Sequence, residues 1–161
     1  MSWQTESTEL LRVTINDMDV SPTYSDERLE RVLVIAALQV LNSLTFDTAY
    51  KVDIPLATIT PDPTDQDPKD AKFINLVALR AAKIVISGEL KQYSISGGMS
   101  ISDGPSKIDM SGAFKNLMVL QKKVDADYEE ARKDYSIYVS QTNFKAITTP
   151  STVEGLSIWQ T

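Results

Sequence analysis

The chain has 161 residues, of which 42% are hydrophobic and 24% are charged, and its formal net charge is −6. This length suits one compact domain, and the acidic balance argues against binding nucleic acid through the bulk surface, because cations on phosphates dominate such binding. The chain has no histidine and no cysteine. Their absence excludes disulfides, thiolate nucleophiles and thiolate zinc sites, and removes the usual general base near neutral pH.

The first 24 residues predict an arm ahead of the main body. Leu11, Val13 and Ile15 alternate with polar residues, which is the period of a short strand over residues 11–16. A turn-rich link follows the strand. We then expect a first long helix over residues 25–44, with Ser25 as its N-cap and apolar residues recurring every three or four positions.

An extended excursion over residues 45–67 is expected between the first and second helices. Any strand in it lies at an edge or is broken at Pro55, because proline cannot donate a ladder hydrogen bond. Asp67 and Pro68 predict the start of the second helix, since proline is favoured at the first helical position. The apolar run over residues 73–86 is too short and too often interrupted to span a membrane, and we interpret it as the centre of a bundle.

Residues 94–161 predict a linker, a long helix and a tail. The linker, residues 94–111, contains glycines and predicts a small hairpin or projecting loop. A third helix is expected over residues 111–140. One apolar stripe should pack it on the second helix: Leu117, Leu120, Val124, Tyr128, Ala131, Tyr135 and Tyr138. Residues 141–161 predict an extended C-terminal tail, which Pro150 keeps from continuing the helix.

The expected fold class is therefore mainly α. We expect a helical bundle of three long helices over residues 25–140, with a β-like excursion between the first two. The N-terminal arm, residues 1–24, and the C-terminal tail, residues 141–161, flank this bundle.

Two stretches resemble ligand-binding loops without matching them. In residues 98–107 five residues separate the two glycines and Pro105 follows the second, whereas a phosphate loop needs four residues and then Lys with Ser or Thr. Among the aspartates of residues 62–70, Asp70 stands where a calcium loop requires glycine. We therefore predict no catalytic residue, no cofactor site and no metal site, and we expect that the protein is not an enzyme.

Several short motifs follow one another in a characteristic order. Leu-Arg at 11–12 precedes Ile-Asn-Asp at 15–17 and Tyr-Ser-Asp-Glu at 24–27, and an alanine pair follows in the first helix. Downstream come Ser-Asp-Gly-Pro at 102–105 and Asp-Tyr-Glu-Glu-Ala at 127–131. Over about residues 10–140 this layout resembles that of the head–tail connector family of tailed bacteriophages, also called adaptor, neck or head-completion proteins. The excursion is the departure, because its length varies among such proteins.

The resemblance implies a helical protomer that assembles into a ring, usually of about twelve copies, below the phage portal protein. Such a ring extends the DNA channel, lets DNA pass without sequence-specific binding, and presents a surface to the next neck or tail protein. The implied location is the neck of the virion at the portal vertex, after synthesis in the host cytoplasm and without a membrane. A negatively charged chain suits a channel that DNA must pass without adhering.

Three sets of residues are candidates for contacts in such an assembly. The apolar residues of the excursion are candidates for packing on a neighbouring subunit: Tyr50, Val52, Ile54, Leu56 and Ile59. The aspartates of the next loop either line the channel or form a solvated outer loop: Asp62, Asp65 and Asp67. The apolar residues of the tail are candidates for docking onto the portal, with fold-back onto the chain's own core or disorder as alternatives: Phe144, Ile147, Leu156, Ile158 and Trp159.

Two other classes of protein stay open on the sequence. One is another virion part, such as a head-closure or tail-completion protein. The other is a non-viral soluble helical-bundle module that acts as a monomer or dimer. Mass measurement of the purified chain with and without a portal separates a ring-forming connector from the soluble module.

Overall fold

A computed structural model of the chain describes residues 2–96, 102–103, 106–107 and 111–147. In chain order the elements are α1 (Trp3–Ile15), α2 (Asp26–Ser43), β1 (Lys51–Asp53), β2 (Thr58–Thr60), α3 (Ala71–Ser96), β3 (Ser102–Asp103), β4 (Ser106–Lys107) and α4 (Ser111–Ile147). The predicted mainly α bundle with an extended excursion is confirmed. The described chain has four helices instead of the expected three, because a helix precedes the first predicted one.

The additional helix is α1, and it replaces the strand predicted over residues 11–16, so that prediction is wrong. Its buried residues share one helical face: Trp3, Ser7, Thr8 and Leu11. Of the alternating apolar residues, Leu11 enters the core while Val13 stays 60% exposed, which a helix explains and a half-buried strand does not. The helix ends at Ile15, and its C-cap, Asn16, has a left-handed backbone at φ 60°, a conformation that asparagine tolerates.

The first predicted helix is confirmed as α2, within one residue at each end. The backbone N–H of Arg28 donates to the Ser25 hydroxyl at 3.4 Å, which confirms Ser25 as the N-cap. The buried residues form the predicted apolar face: Leu29, Leu33, Val34, Ala36, Ala37 and Val40. This face packs on α1 and α3.

The excursion contains an antiparallel hairpin made of β1 and β2. Val52 is paired with Ile59, and both pack against the core, while the flanking residues of β1 are exposed. Pro55 lies in the turn between the strands, as expected for a residue without an N–H to donate. The two strands are only three residues long, so packing on the core, and not the ladder, holds the hairpin in place.

The central helix, α3, has Ala71 and not Pro68 as its first helical residue, so the predicted start is wrong by three residues. Asp70 is the residue that satisfies the first turn: its Oδ1 accepts a 3.1 Å hydrogen bond from the N–H of Phe73. The carboxylate cap therefore decides the start, and Pro68 lies in the loop before it. α3 continues through Gly88 to Ser96 and contacts each of the other three helices.

The last helix, α4, lies antiparallel on α3. The partners in four side-chain contacts have residue numbers that add up to nearly the same value: Ser87 with Gln121, Lys83 with Asp125, Arg80 with Tyr128 and Lys72 with Tyr138. This constancy shows that the two helices keep one register along the whole contact. The predicted stripe is confirmed from Leu117 to Tyr135, since Val124, Tyr128 and Tyr135 are buried and belong to the same core cluster as α3. Its last predicted member, Tyr138, is 45% exposed, so that part of the prediction is wrong.

Beyond this contact, α4 extends past the start of α3. Tyr138 lies level with Lys72 in the first turn of α3, and α4 continues for nine further residues to Ile147, about 13 Å at 1.5 Å per residue. Residues 141–147, predicted as the start of the extended tail, are thus helical, and that boundary is wrong. Pro150, the first strong helix breaker after Tyr138, stands beyond them.

The predicted hairpin between the two long helices is confirmed in part. β3 pairs with β4 in antiparallel register, with Ser102 opposite Lys107 and Asp103 opposite Ser106. The linker was expected to start at residue 94, but α3 runs to Ser96. Met99 and Ile101, which contributed to the prediction, lie outside the described residues.

Candidate functional site

The motif residues near the N-terminus converge on one side chain, Arg12. Its Nη1 donates to Oδ2 of Asp17 at 2.7 Å, and its Nη2 donates to Oδ1 of Asp26 at 2.6 Å. Nη2 also donates to the backbone carbonyl of Tyr24 at 2.8 Å. We call this group the Arg12 junction: Arg12, Asp17, Tyr24 and Asp26. It joins the end of α1 to the start of α2, which the sequence separates by ten residues.

Asp17 is the buried member of the Arg12 junction. Both of its oxygens accept backbone hydrogen bonds, from the N–H of Thr23 at 2.7 Å and from that of Tyr24 at 3.3 Å. Burial on its own would raise the pKa of Asp17, but these hydrogen bonds and the Arg12 charge hold the pKa below its usual value. Asp17 is therefore ionised in the folded chain, and it closes the link between the two helices into a loop.

Tyr24 connects the Arg12 junction to the central helix, α3. Its hydroxyl donates to Oε1 of Glu89 on α3 at 2.6 Å, and the Arg28 guanidinium lies 4.7 Å from the centre of its ring. Burial, followed by the hydrogen bond to Glu89, raises the pKa of Tyr24 above its ordinary value. Through this single side chain the positions of α1, α2 and α3 become interdependent.

An open cavity of about 520 Å³ adjoins the Arg12 junction. Its wall combines junction residues with the link between α1 and α2, including Met18, Asp19 and Pro22. Met18 and Val20 of this link are exposed, although both are apolar. The link is therefore a surface that offers carboxylates and apolar groups side by side.

The predicted excursion residues divide into two groups. Ile59 is buried, and Tyr50 and Val52 are half-buried against the core of the same chain. Ile54 is 45% exposed and Leu56 is 72% exposed, and both lie in the turn of the hairpin. Only these last two are thus free to contact another molecule, so the candidate intersubunit set reduces to the tip of the hairpin.

The three candidate lumen acids have unequal surroundings. Asp62 is half-buried, and its Oδ1 accepts hydrogen bonds from the N–H and the hydroxyl of Thr64, at 2.8 and 2.6 Å. Its Oδ2 accepts a 3.4 Å hydrogen bond from the N–H of Trp3, at the start of α1. Asp65 and Asp67 are exposed. Asp62 therefore organises the loop, whereas Asp65 and Asp67 present their charge to the surroundings.

The predicted tail residues fall into two parts of the chain. Phe144 and Ile147 belong to the last two turns of α4. Leu156, Ile158 and Trp159 lie outside the described residues. The helix thus delivers the start of the tail to a point beyond the first turn of α3.

An aromatic cluster that the sequence did not lead us to expect joins the excursion to the long helices. The rings of Tyr50 and Phe73 stack with centroids 4.2 Å apart, and those of Phe46 and Tyr135 stack at 4.6 Å. Phe46 also meets Phe73 edge to face at 5.1 Å. The sequence contains one sign of this cluster, because Phe46 and Tyr50 are aromatic and four residues apart. The prediction of an extended segment made no use of that spacing.

Two hydroxyls fix the orientation of this aromatic cluster. Tyr50 donates to Oδ2 of Asp70 at 2.8 Å, and Tyr135 donates to the carbonyl of Thr45 at 3.0 Å. Burial and then the hydrogen bond to Asp70 raise the pKa of Tyr50 above its usual value. Burial, with the nearby carboxylates of Asp47 and Asp70, raises the pKa of Tyr135 to about 12. Both phenols are neutral at physiological pH and act as hydrogen-bond donors.

Further observations concern metals, membranes and known proteins. Within residues 2–96 and the described parts of 102–147, no group of three or more acidic side chains is arranged to hold a metal ion. None of the helices described is both long and apolar enough to cross a membrane. Comparison with profiles of protein families, with curated proteins and with solved structures gave no match.

Proposed function

We propose that this protein is a structural component of a tailed-phage virion: a head–tail connector that forms a ring below the portal and extends the DNA channel. The observation that carries the proposal is the Arg12 junction. Arg12, Asp17, Tyr24 and Asp26 belong to the motifs on which the resemblance rests, and they contact one another in the folded chain. These motif residues fix the positions of three helices relative to one another. A protein that shares the motif is therefore expected to share the fold, which supports a common architecture with the connector family.

The shape of the chain supports an assembly role. A connector subunit needs contacts with neighbours in its ring, with the portal on one side and with the next neck or tail protein on the other. The hairpin tip offers exposed Ile54 and Leu56, and the end of α4 extends about 13 Å past the start of α3. The proposal assigns such contacts to these two elements.

The proposal assigns portal docking to the segment that follows α4. Residues 148–161 contain Leu156, Ile158 and Trp159 and only one charged residue, Glu154. Few charges keep the desolvation penalty of docking small, and an aromatic anchor in a desolvated pocket contributes about 2 kcal/mol or more. A ring repeats the contact in every subunit, so weak single contacts become strong attachment.

The proposal gives the protein no catalytic reaction and no cofactor. Passing DNA is the second partner, and it is not bound by sequence. If the loop after β2 faces the channel, exposed Asp65 and Asp67 repel its phosphates. Asp62 is half-buried and held by Thr64 and Trp3, so its charge is less exposed than that of Asp65 and Asp67.

The test is attachment of purified protein to portal-bearing, DNA-filled heads, measured by co-sedimentation. Truncation after Ile147 keeps all of α4 and removes the proposed anchor, and we expect a folded protomer that no longer attaches. The matched control is full-length protein with Val153→Ala, which removes little apolar area. Wild-type protein that failed to attach to heads, or that attached to isolated tails instead, would contradict the connector role. Full attachment of the truncated chain would move the portal contact to the helical body.

A further inference from the structure

Charged residues are unevenly distributed along the sequence. Between residues 80 and 124 seven Lys and Arg stand against three Asp and Glu, whereas residues 1–79 contain six basic and thirteen acidic residues. The stretch from the second half of α3 to Val124 of α4 is therefore basic in an acidic chain, and one of its cations, Lys83, is paired with Asp125. A chain with two surfaces of opposite sign is suited to associate with copies of itself.

The basic region presents one exposed face of α4, which we call the basic face: Lys115, Met118, Val119, Lys122 and Lys123. Four of these residues follow the spacing of a helical stripe, and Met118 and Val119 lie at its centre, 40% and 68% exposed. Within the described part of the chain none of the three lysines forms an ion pair. An apolar centre with a charged rim is the composition of a protein–protein contact and not of a phosphate-binding surface.

The complementary surface lies in the link between α1 and α2, which we call the link surface: Met18, Asp19 and Val20. The N–H of Thr23 donates to Asp17 at 2.7 Å, so the ends of the link are tied together and Val20 stands at its apex, fully exposed. Asp19 is exposed and forms no ion pair among the described residues. The link surface thus offers apolar groups beside free negative charge, the counterpart of the basic face.

The two surfaces lie on opposite flanks of α3 at nearly the same level. Ser87 of α3 contacts Gln121 of α4, while Glu89 of α3 accepts a hydrogen bond from the hydroxyl of Tyr24, at the end of the link. Positions two residues apart on a helix point about 160° away from each other. On α4, Val119 stands in the same relation to Gln121, so it points away from α3. One protomer therefore cannot bring its own two surfaces together.

We infer that copies of this chain associate head to tail, with the basic face of one copy on the link surface of the next. Two different surfaces on opposite flanks give a heterologous contact, which repeats around a ring, whereas a two-fold contact would stop at a dimer. The inference rests on the proposed function for its setting, since it names the lateral contact of that ring. It requires neither portal nor virion to be tested.

Disulfide cross-linking tests it directly, because the chain has no cysteine of its own. Val20→Cys and Val119→Cys are placed on separate full-length chains, and the purified chains are mixed under mild oxidation. We expect a covalent dimer from the mixture, a ladder of dimers, trimers and larger species from the double variant, and little product from either single variant. The matched control replaces Val119→Cys by Ile137→Cys, on the same helix about 27 Å away and also exposed.

Electrostatics provides the second arm of the test. Lys122→Glu with Lys123→Glu, added to the Val119→Cys chain, should slow cross-linking to the Val20→Cys chain by roughly fivefold or more at low salt. Cross-linking of the mixture no faster than the control, homodimers of the Val119→Cys chain that form as fast as the mixed dimer, or indifference to the charge reversal would each overturn the inference. A chain that cross-links as expected but never attaches to portals would retain the head-to-tail contact and remove the connector role.

Discussion

Tyr24 and Glu89 are 65 residues apart in the chain, and the Tyr24 hydroxyl donates a 2.6 Å hydrogen bond to Oε1 of Glu89. This bond is the polar tie between the α1–α2 link and the central helix. Hydrogen bonds to a charged acceptor contribute about 1.5–3 kcal/mol when partly shielded from water. The Tyr24 phenol therefore helps to hold the link against α3, while the hydrogen bonds of Arg12 and Asp17 close the link itself.

Replacing that phenol should loosen the link without unfolding the bundle. We expect Tyr24→Phe to lower the free energy of unfolding by about 1–2 kcal/mol, measured by urea denaturation. The control is a double-mutant cycle with Glu89→Gln, in which the two changes should cost clearly less together than the sum of the single changes. Additive costs would show that the bond contributes nothing of its own.

Removing Arg12 should cost more than removing any surface arginine. Arg12→Ala leaves buried Asp17 without its cationic partner, and we expect a loss of about 3 kcal/mol in the free energy of unfolding. The matched control is Arg31→Ala, which breaks an exposed pair with Glu27 on α2 and should cost less than about 0.5 kcal/mol. Similar losses in the two variants would contradict the role assigned to the Arg12 junction.

Asp17 should make the protein sensitive to acid. Its pKa is lowered on folding, so the folded chain binds fewer protons than the unfolded chain, and its contribution to stability is full above the unfolded value of 3.8. That contribution disappears as the pH falls through the lower folded value. Thermal denaturation from pH 7 to pH 2 should therefore show a shallower acid decline for Asp17→Asn than for wild type. Asp19→Asn, two positions away and exposed, should retain the wild-type decline.

Tyr135 should act in the opposite sense at high pH. Its pKa rises from 10.0 to about 12 on folding, so its contribution is full below pH 10 and is lost as the pH rises toward 12. Tyr135→Phe should cost about 1 kcal/mol at pH 7, through the lost hydrogen bond to Thr45, and should lose stability less steeply above pH 10. Tyr138→Phe, half-exposed on the same helix, serves as the control for a general effect of losing a phenol.

The register of α4 on α3 is tested by two valines on α4. Val124 is 2% exposed, and Val124→Asp places a charge without a partner in the helix contact, at a cost of several kcal/mol, on the order of 3–5. Val119→Asp, five residues earlier and 68% exposed, should leave the melting temperature nearly unchanged. Equal effects of the two changes would mean that α4 is rotated about its axis, with Val124 and Val119 equally accessible to water.

The parts of the fold that were predictable are those in which periodicity and capping agree. In α2, Ser25 and the apolar spacing indicate the same boundaries, and the structure has them. In α1, a short alternation of apolar residues suggests a strand, yet Trp3, Ser7 and Leu11 share a helical face that packs on other helices. Tertiary packing decides here between strand and helix, and six residues of sequence carry no information about that packing.

The candidate site was predictable only as a set of motifs. The sequence identifies Arg12, Asp17 and the residues at 24–27 as a pattern, but not that one guanidinium binds three of them. For the excursion, apolar character alone does not separate Ile59, which enters the chain's own core, from Leu56, which remains in solvent. That distinction depends on strand pairing and on which side of the hairpin faces the core.

The unbroken length of α4 has a mechanical consequence. Its 37 residues form a rod of about 55 Å, with the basic face near one end and the attachment point of the last fourteen residues at the other. A tilt of only about 5° at one end displaces the other by roughly 5 Å. A neighbouring molecule that binds the basic face therefore also fixes the position from which the C-terminal segment starts. The contact at one end of α4 and the placement of the segment at the other end are thus coupled through a single helix.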